Sequence, residues 1–276
     1  MNISIKANEK FYKDLKEIGF YGIDFPFGAF SDREKLLSKE FEDSIAEKSE
    51  KIKSYGLKVC QTHLTYYPGH LEPIGDGTYK AFEEYMLPIF EKQLELTKKL
   101  GCDTAVIHLY FEKDREKSRA GNIELLKKLL IVAEKNGVAL AIENIYGPNY
   151  SDAHLSTKDD LLYYINYFKN PHLGICLDTG HAVIRGENPV FLLKSLYKHI
   201  VALHIHTTVP NMDLHAVPYC VSYGEQIDWE EFVNILKDNG YKKSFNLEIV
   251  CPSRFNDKAF LNFYRFAYEA VKSIIG

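Results

Sequence analysis

The chain has 276 residues, 46% of them apolar, and a formal net charge of −4. That much apolar material builds a sizeable core and excludes a disordered polymer. The slight acidity argues against nucleic acid as the main partner, because phosphate binding is driven by Lys and Arg, although a local basic rim is compatible with it.

The first element is a short strand, Ile3–Lys6, followed by a helix over 9–18 that Gly19 ends. Seven apolar runs then follow: YGIDF, LKVCQTH, DTAVIH, VALAIEN, LGICLD, VALHIH and FNLEI. They carry Asp24, His63, His108, Glu143, Asp178, His204 and Glu248 at or near their ends. Gly56, Gly101, Gly137 and Gly240 each precede one of these runs, as expected where a helix stops before a strand. The Lys/Glu-rich segment 33–53 reads as a solvated helix face. In the helix over 123–136, Ile123, Leu126, Leu129, Leu130 and Ala133 recur at helical spacing and read as core. A last helix covers 257–274. Two long loops follow strands. One lies after His63 and carries Pro68-Gly69, Pro73, Gly75 and Gly77; the other spans 207–227.

Strands alternating with helices imply a parallel sheet. VALAIEN, LGICLD and VALHIH are continuously apolar, as strands covered on both faces are. With Ile3–Lys6 there are eight strands, so the expected fold is α/β: a single (β/α)8 TIM barrel over 1–276, with no second domain. No run approaches the ~18 apolar residues of a membrane span, and MNISIKANEK lacks the apolar stretch of a secretion signal. The five cysteines, Cys60, Cys102, Cys176, Cys220 and Cys251, are odd in number and form no CxxC. They read as buried thiols in a reducing compartment, so a soluble, cytoplasmic protein without a membrane partner is expected.

In such a barrel all strand C-termini meet at one mouth, where enzyme sites sit. Glu143, Asp178, His204 and Glu248 end four successive strands. Three carboxylates that close raise one another's pKa, and a divalent cation removes that penalty. Oxygen ligands with one imidazole suit Mn²⁺, Mg²⁺, Co²⁺ or Zn²⁺. His63 and His108 end two earlier strands, His181 stands three residues after Asp178, and Asp213 and His215 form a D-x-H in the second loop. These extra imidazoles allow more than one ion and favour zinc. His206 is read as pointing away from His204. Phe25, Phe27, Tyr66, Tyr67, Tyr110, Phe111, Tyr146 and Tyr150 follow strand ends and could stack on a sugar or cover the barrel top.

HLTY at 63–66, VIH at 106–108, IENIYG at 142–147, LDTGHA at 177–182, LHIH at 203–206, DLH at 213–215, GEQIDW at 224–229 and LEI at 247–249 occur in that order. The set resembles the xylose isomerase-like TIM-barrel superfamily over nearly the whole chain. The isomerase and epimerase branch implies a metal held by Glu143, Asp178, His204 and Glu248. It also implies that Glu143 and Glu248 exchange a proton beside the carbonyl of a keto sugar or sugar phosphate, with His181 on a substrate hydroxyl. The endonuclease IV branch implies a trinuclear zinc site for cutting DNA at abasic sites. Its nine ligand positions match His63, His108, Glu143, Asp178, His181, His204, Asp213, His215 and Glu248, and Tyr66 matches an aromatic of that group. Against that branch, its GxHxS opening is missing, Leu109-Tyr110 replaces Pro-Gly, and His206-Thr207 replaces Asn-Asp. The expected function is therefore a metal-dependent sugar isomerase or epimerase acting on a small-molecule sugar. The endonuclease and a non-catalytic, metal- and sugar-binding barrel are the alternatives.

Overall fold

The computed structural model describes residues 1–29, 32–66, 74–75, 77–147, 155–221 and 226–276. The strands are β1 (Ile3–Lys6), β2 (Gly22–Pro26), β3 (Lys58–His63), β4 (Thr104–Ile107), β5 (Ala139–Glu143), β6 (Leu173–Asp178), β7 (Ile200–His204), β8 (Thr207–Val209), β9 (Met212–Ala216) and β10 (Phe245–Leu247). The helices are α1 (Tyr12–Ile18), α2 (Arg33–Leu37), α3 (Lys39–Ser54), α4 (Tyr79–Lys99), α5 (Arg115–Asn136), α6 (Lys158–Phe168), α7 (Thr179–Ile184), α8 (Pro189–Leu196), α9 (Trp229–Asp238) and α10 (Asp257–Ile275).

Eight strands pair in the order β10-β1-β2-β3-β4-β5-β6-β7, every neighbour parallel. The ring closes just beyond β7. There Ile205 N donates to Asn246 O at 2.8 Å and Glu248 N donates to Ile205 O at 3.1 Å. The fold is a (β/α)8 barrel, as the strand–helix alternation predicts. Among the described residues, no helix is long and apolar enough to cross a membrane.

Helix α5 illustrates how the sequence sets the outer layer. Asp114 caps it, accepting from Glu116 N at 3.0 Å and Lys117 N at 3.2 Å, which satisfies two otherwise orphaned donors. It ends at Gly137, whose φ of 63° is left-handed backbone that glycine adopts freely. Between these signals Leu125, Leu126, Leu129, Leu130 and Ala133 are buried against the barrel, while Ile123 is only partly covered. Truncating a fully buried leucine such as Leu129 to alanine costs ~2–5 kcal/mol.

Inside the barrel the residues are smaller. Val106, Ala141, Cys176 and Ala202 form a cluster of their own, separate from the main core between sheet and helices. Side chains on a strand alternate faces, so residues two apart share one. His108, Glu143, Asp178 and His204 stand two positions after these four and therefore project on the same, inner side, one layer nearer the mouth. The same step leads from Gln61 to His63 and from Asn246 to Glu248.

Two details differ from the sequence reading. The segment 207–227 is not all loop: β8 and β9 form an antiparallel hairpin in which Val209 pairs with Met212. Its two-residue turn is Pro210-Asn211, with Asn211 at φ 62°, a left-handed position that Asn tolerates. All five cysteines are free, but only Cys102 and Cys176 are buried; Cys60 and Cys251 are half-buried and Cys220 is exposed. Tyr67, Pro68-Gly69, Pro73, Tyr150 and the Gly224-Glu225 start of GEQIDW lie outside the described residues. Phe25, Phe27 and Tyr110 are buried in the main core.

Candidate metal centre

Glu143, Asp178 and His204 are the last residues of β5, β6 and β7. Glu248 follows β10 directly, and His108 follows β4 directly. All four of Glu143, Asp178, His204 and Glu248 are buried, and one ligand-type atom of each lies within 4.8 Å of the others.

The four residues present their atoms in a consistent way. His204 Nδ1 is the hub, 3.2 Å from Glu143 Oε1, 3.0 Å from Glu248 Oε2 and 3.7 Å from Asp178 Oδ2. The other atom of each residue is engaged elsewhere. Glu143 Oε2 faces His108 Nε2 at 3.0 Å and His63 Nε2 at 3.3 Å. Asp178 Oδ1 accepts from His181 N at 2.7 Å and meets His206 Nε2 at 3.0 Å. Glu248 Oε1 accepts from Lys6 Nζ at 2.7 Å. His204 Nε2 turns to Asp24 Oδ2 at 3.5 Å. Each side chain is thus oriented by a partner and offers one atom to a shared point.

Two further groups adjoin this one. His63, Glu143 and His204 form the first; His181, His206, Asp213 and His215 form the second, with ligand-type atoms again within 4.8 Å of one another. Asp213 and His215 reach the mouth on β9. Asp213 Oδ2 accepts from Tyr146 OH at 2.8 Å and faces His215 Nε2 at 3.1 Å, while the buried Oδ1 has no hydrogen-bond partner among the described residues. The rings of His206 and His215 stack at 4.2 Å.

Three histidines share a telling pattern. His63 Nδ1 faces Leu64 O at 2.8 Å, His181 Nδ1 faces Asn144 O at 2.9 Å, and His215 Nδ1 faces Glu248 O at 2.8 Å. A carbonyl only accepts, so each Nδ1 carries the hydrogen. The neutral ring then aims a lone pair from Nε2 towards a carboxylate: Glu143 Oε2 for His63, and Asp213 Oδ2 for His181 (3.9 Å) and His215. Two lone pairs facing each other repel. Only a second proton or a cation between them makes the arrangement favourable.

The electrostatics of the metal-free site say the same. Burial alone pushes Glu143 up, but His204 and His108 outweigh it and hold the carboxyl well below its usual range. Glu248 is pushed up by burial and held well below by His204 and Lys6. Burial opposes charge on His181, yet Asp178 and Glu143 push it up to about 10. His204 is likewise raised well above its ordinary value against the effect of burial, with Cys176, Glu248 and Glu143 around it. Asp213, pushed up by burial, is brought down to about 2 by His215. Without a cation, the cluster holds itself together with protons. The donor set fits a divalent ion: the fully buried His204 Nδ1 has no hydrogen-bond partner although carboxylate oxygens of three residues face it.

A family model for the xylose isomerase-like TIM barrel matches residues 12–262. The chain belongs to that family. Among relatives within it, the L-ribulose-5-phosphate 3-epimerase UlaE of Salmonella heidelberg (strain SL476) is 23% identical over 253 residues, covering 89% of this chain and 84% of the relative. Two solved structures share the barrel. D-psicose 3-epimerase from Clostridium cellulolyticum H10, solved with D-tagatose, superposes with a TM-score of 0.76 at 14% identity, over 100% of this chain and 99% of the other. The IOLI protein, solved with a zinc atom, superposes with a TM-score of 0.75 at 17% identity, over 100% and 98%. The xylose isomerase-like barrel of this chain therefore has sugar epimerases among its relatives.

The sequence reading placed His206 facing away from His204, and the structure corrects this. His206 lies two residues after His204, so alternation keeps it on the same face, and its Nε2 reaches both oxygens of Asp178, at 3.0 and 3.2 Å. Gly180 makes room for it: a Cβ there would stand 1.9 Å from His206 Cε1. Tyr66 stands beside the centre, with its ring 5.6 Å from that of His108 and 6.0 Å from that of His63. Lys6 and Asn144 were missed. Asn144 accepts from Asp178 N at 2.7 Å and donates to Asp178 O at 2.8 Å, clamping β5 to β6 at the mouth.

Proposed function

We propose that the protein is a divalent-metal-dependent epimerase or isomerase of a small keto sugar or sugar phosphate, with Glu143 and Glu248 as its proton-transfer pair. The observation that carries this reading is the placement of the two glutamates. Each turns one oxygen to His204 Nδ1, at 3.2 and 3.0 Å. The second oxygen of each turns to a partner with some exposure, His108 at 29% and Lys6 at 39%. A sugar entering from the mouth would meet that second oxygen beside a partner that can give way, so the carboxylate could exchange a proton with it.

Glu143, Asp178, His204 and Glu248 would hold the ion. Bound there, a divalent cation polarises the carbonyl and the neighbouring hydroxyl of a ketose, which acidifies the intervening C–H. One glutamate takes that proton, and the other returns one to the opposite face of the carbon for epimerisation or to the neighbouring carbon for isomerisation. Both glutamates are kept ionised by the groups around them, as a general base needs to be. His181 and Tyr66, at the edge of the centre, would meet hydroxyl groups of the substrate. The lone pairs of His63, His181 and His215 support more than one ion, zinc before manganese, with magnesium or cobalt as other candidates.

The sugar epimerases among its relatives support the substrate class. The test is a panel of ketoses and ketose phosphates, followed by carbohydrate chromatography with and without EDTA. An epimer or isomer that disappears on chelation and returns with Zn²⁺ or Mn²⁺ is expected. Bound metal without turnover across the panel would favour the binding barrel instead.

A further inference from the structure

We propose that Asp24, at the end of β2, is a positioning residue that fixes which nitrogen of His204 faces the ion. This rests on the reading of Glu143, Asp178, His204 and Glu248 as a metal centre. A neutral imidazole binds a cation through the nitrogen that lacks hydrogen, so the other nitrogen must carry it. His204 Nδ1 faces Glu143, Asp178 and Glu248, and is the ligand atom. The hydrogen therefore belongs on Nε2. The ring is fully buried, out of reach of bulk water. Asp24 Oδ2, 3.5 Å away, is the carboxylate oxygen that faces Nε2.

Asp24 is built for this task. It is 1% exposed, yet has no lysine or arginine bonded to it among the described residues. Its Oδ2 accepts from Gln61 Nε2 at 3.1 Å and from Asn246 Nδ2 at 3.0 Å, and Asn246 Oδ1 accepts in turn from Ser4 Oγ at 2.7 Å. Two neutral amides anchor the carboxylate without neutralising it. Among the described residues, its buried Oδ1 has no hydrogen-bond partner, and neither has His204 Nε2. The unsatisfied ring nitrogen thus stands opposite the anchored oxygen of an unneutralised carboxylate, Asp24 Oδ2, at 3.5 Å. A buried donor left without an acceptor is costly, and a movement of a few tenths of an ångström brings Nε2 within hydrogen-bond distance of Asp24 Oδ2. The register explains the position. Asp24 lies opposite Gln61, two residues short of the level of His63, so it sits below the metal-facing layer and under the imidazole. A carboxylate behind a metal-bound histidine both sets the tautomer and raises the basicity of the ligand nitrogen.

The test uses the full chain in two ways. Competition with a chromophoric chelator gives the zinc Kd of the parent and of Asp24→Asn, which keeps the shape and the acceptor for Gln61 and Asn246 but removes the charge. A rise of ~10–100-fold in Kd is expected, with the circular dichroism of the metal-free form unchanged. Long-range ¹H–¹⁵N correlation on the histidine-labelled, zinc-loaded parent should show His204 metal-bound at Nδ1 and protonated at Nε2, whether or not the variant folds. A folded Asp24→Asn with a Kd within twofold of the parent, or a parent His204 bound through Nε2, overturns the proposal while leaving the metal centre standing. A parent that binds no divalent ion overturns the metal centre and this inference with it.

Discussion

At the scale of single residues, the account stands on Glu143 and Glu248. Glutamine at either position keeps the size and one oxygen but removes the base. Turnover of the ketose accepted by the parent is expected to fall by at least ~10²-fold, the lower range for lost acid–base catalysis, with the fold intact. Activity within a few-fold of the parent would remove that residue from the proton-transfer role. Gly180 offers a test of a different kind. Alanine there would drive a Cβ into the ring of His206, costing ~1–3 kcal/mol as overpacking does. The expected result is a lower melting temperature and weaker metal retention together. An unchanged melting temperature would mean that His206 moves aside freely and does not hold Asp178. The glycine stands in plain view in LDTGHA, but nothing in the sequence announces the histidine it faces, because that ring comes from twenty-six positions later. Lys6 and Asn144 stayed hidden for the same reason. A lysine ending a strand and an asparagine beside a glutamate are ordinary residues until the barrel closes and brings them against Glu248 and Asp178.

At the scale of elements, strand ends were legible because each apolar run stops at a chemically distinctive residue. Every strand of the barrel falls on a run that the sequence marks, to within a residue or two. The hairpin of β8 and β9 was not, since Pro210-Asn211 reads equally as loop, and three-residue β8 is too short to show a period. Yet this hairpin delivers Asp213 and His215, and His215 Nδ1 and O both bond the backbone of the last strand's extension, at Glu248 O and Val250 N. The earlier strands β3 and β4 make the matching contribution on the other side, where His63 and His108 meet on one oxygen of Glu143. Changing both histidines to alanine is expected to lower the metal content by at least one ion per chain, read by elemental analysis, while the ion of Glu143, Asp178, His204 and Glu248 stays. Unchanged stoichiometry with altered substrate affinity would show that the two histidines serve the sugar alone.

At the scale of the molecule, the site is a set of buried charges that protons balance in the metal-free protein and that a divalent ion would balance in their place. In the metal-free protein His181 is raised from 6.5 to about 10. Its contribution to stability is therefore fully present below about 6.5 and is lost as pH rises through about 10. Glu143 is depressed below 4.5, so its contribution is present above that value and is lost as pH falls through the depressed one. Metal-free protein should then be most stable between these limits. Loading with metal should release protons and weaken as pH falls, because His204 must give up its proton to bind. Calorimetric titrations with zinc in buffers of different ionisation heat check this; a buffer-independent heat at neutral pH would contradict it. The same molecular scale bears on nucleic acid. With a net charge of −4, the protein is expected not to nick duplex DNA at abasic sites beyond a metal-only control, and efficient EDTA-sensitive incision would restore the endonuclease reading.

The central claim is that two glutamates around a divalent ion move a proton at the carbon beside a sugar carbonyl. Its most direct measurement is proton NMR of ketoses incubated with the metal-loaded protein in deuterium oxide. The account predicts that one sugar loses its C–H signal next to the carbonyl as the epimer or isomer appears, that EDTA stops the exchange, and that Glu143→Gln and Glu248→Gln abolish it. Retention of that signal in every ketose and ketose phosphate offered to protein carrying its full complement of metal would contradict it.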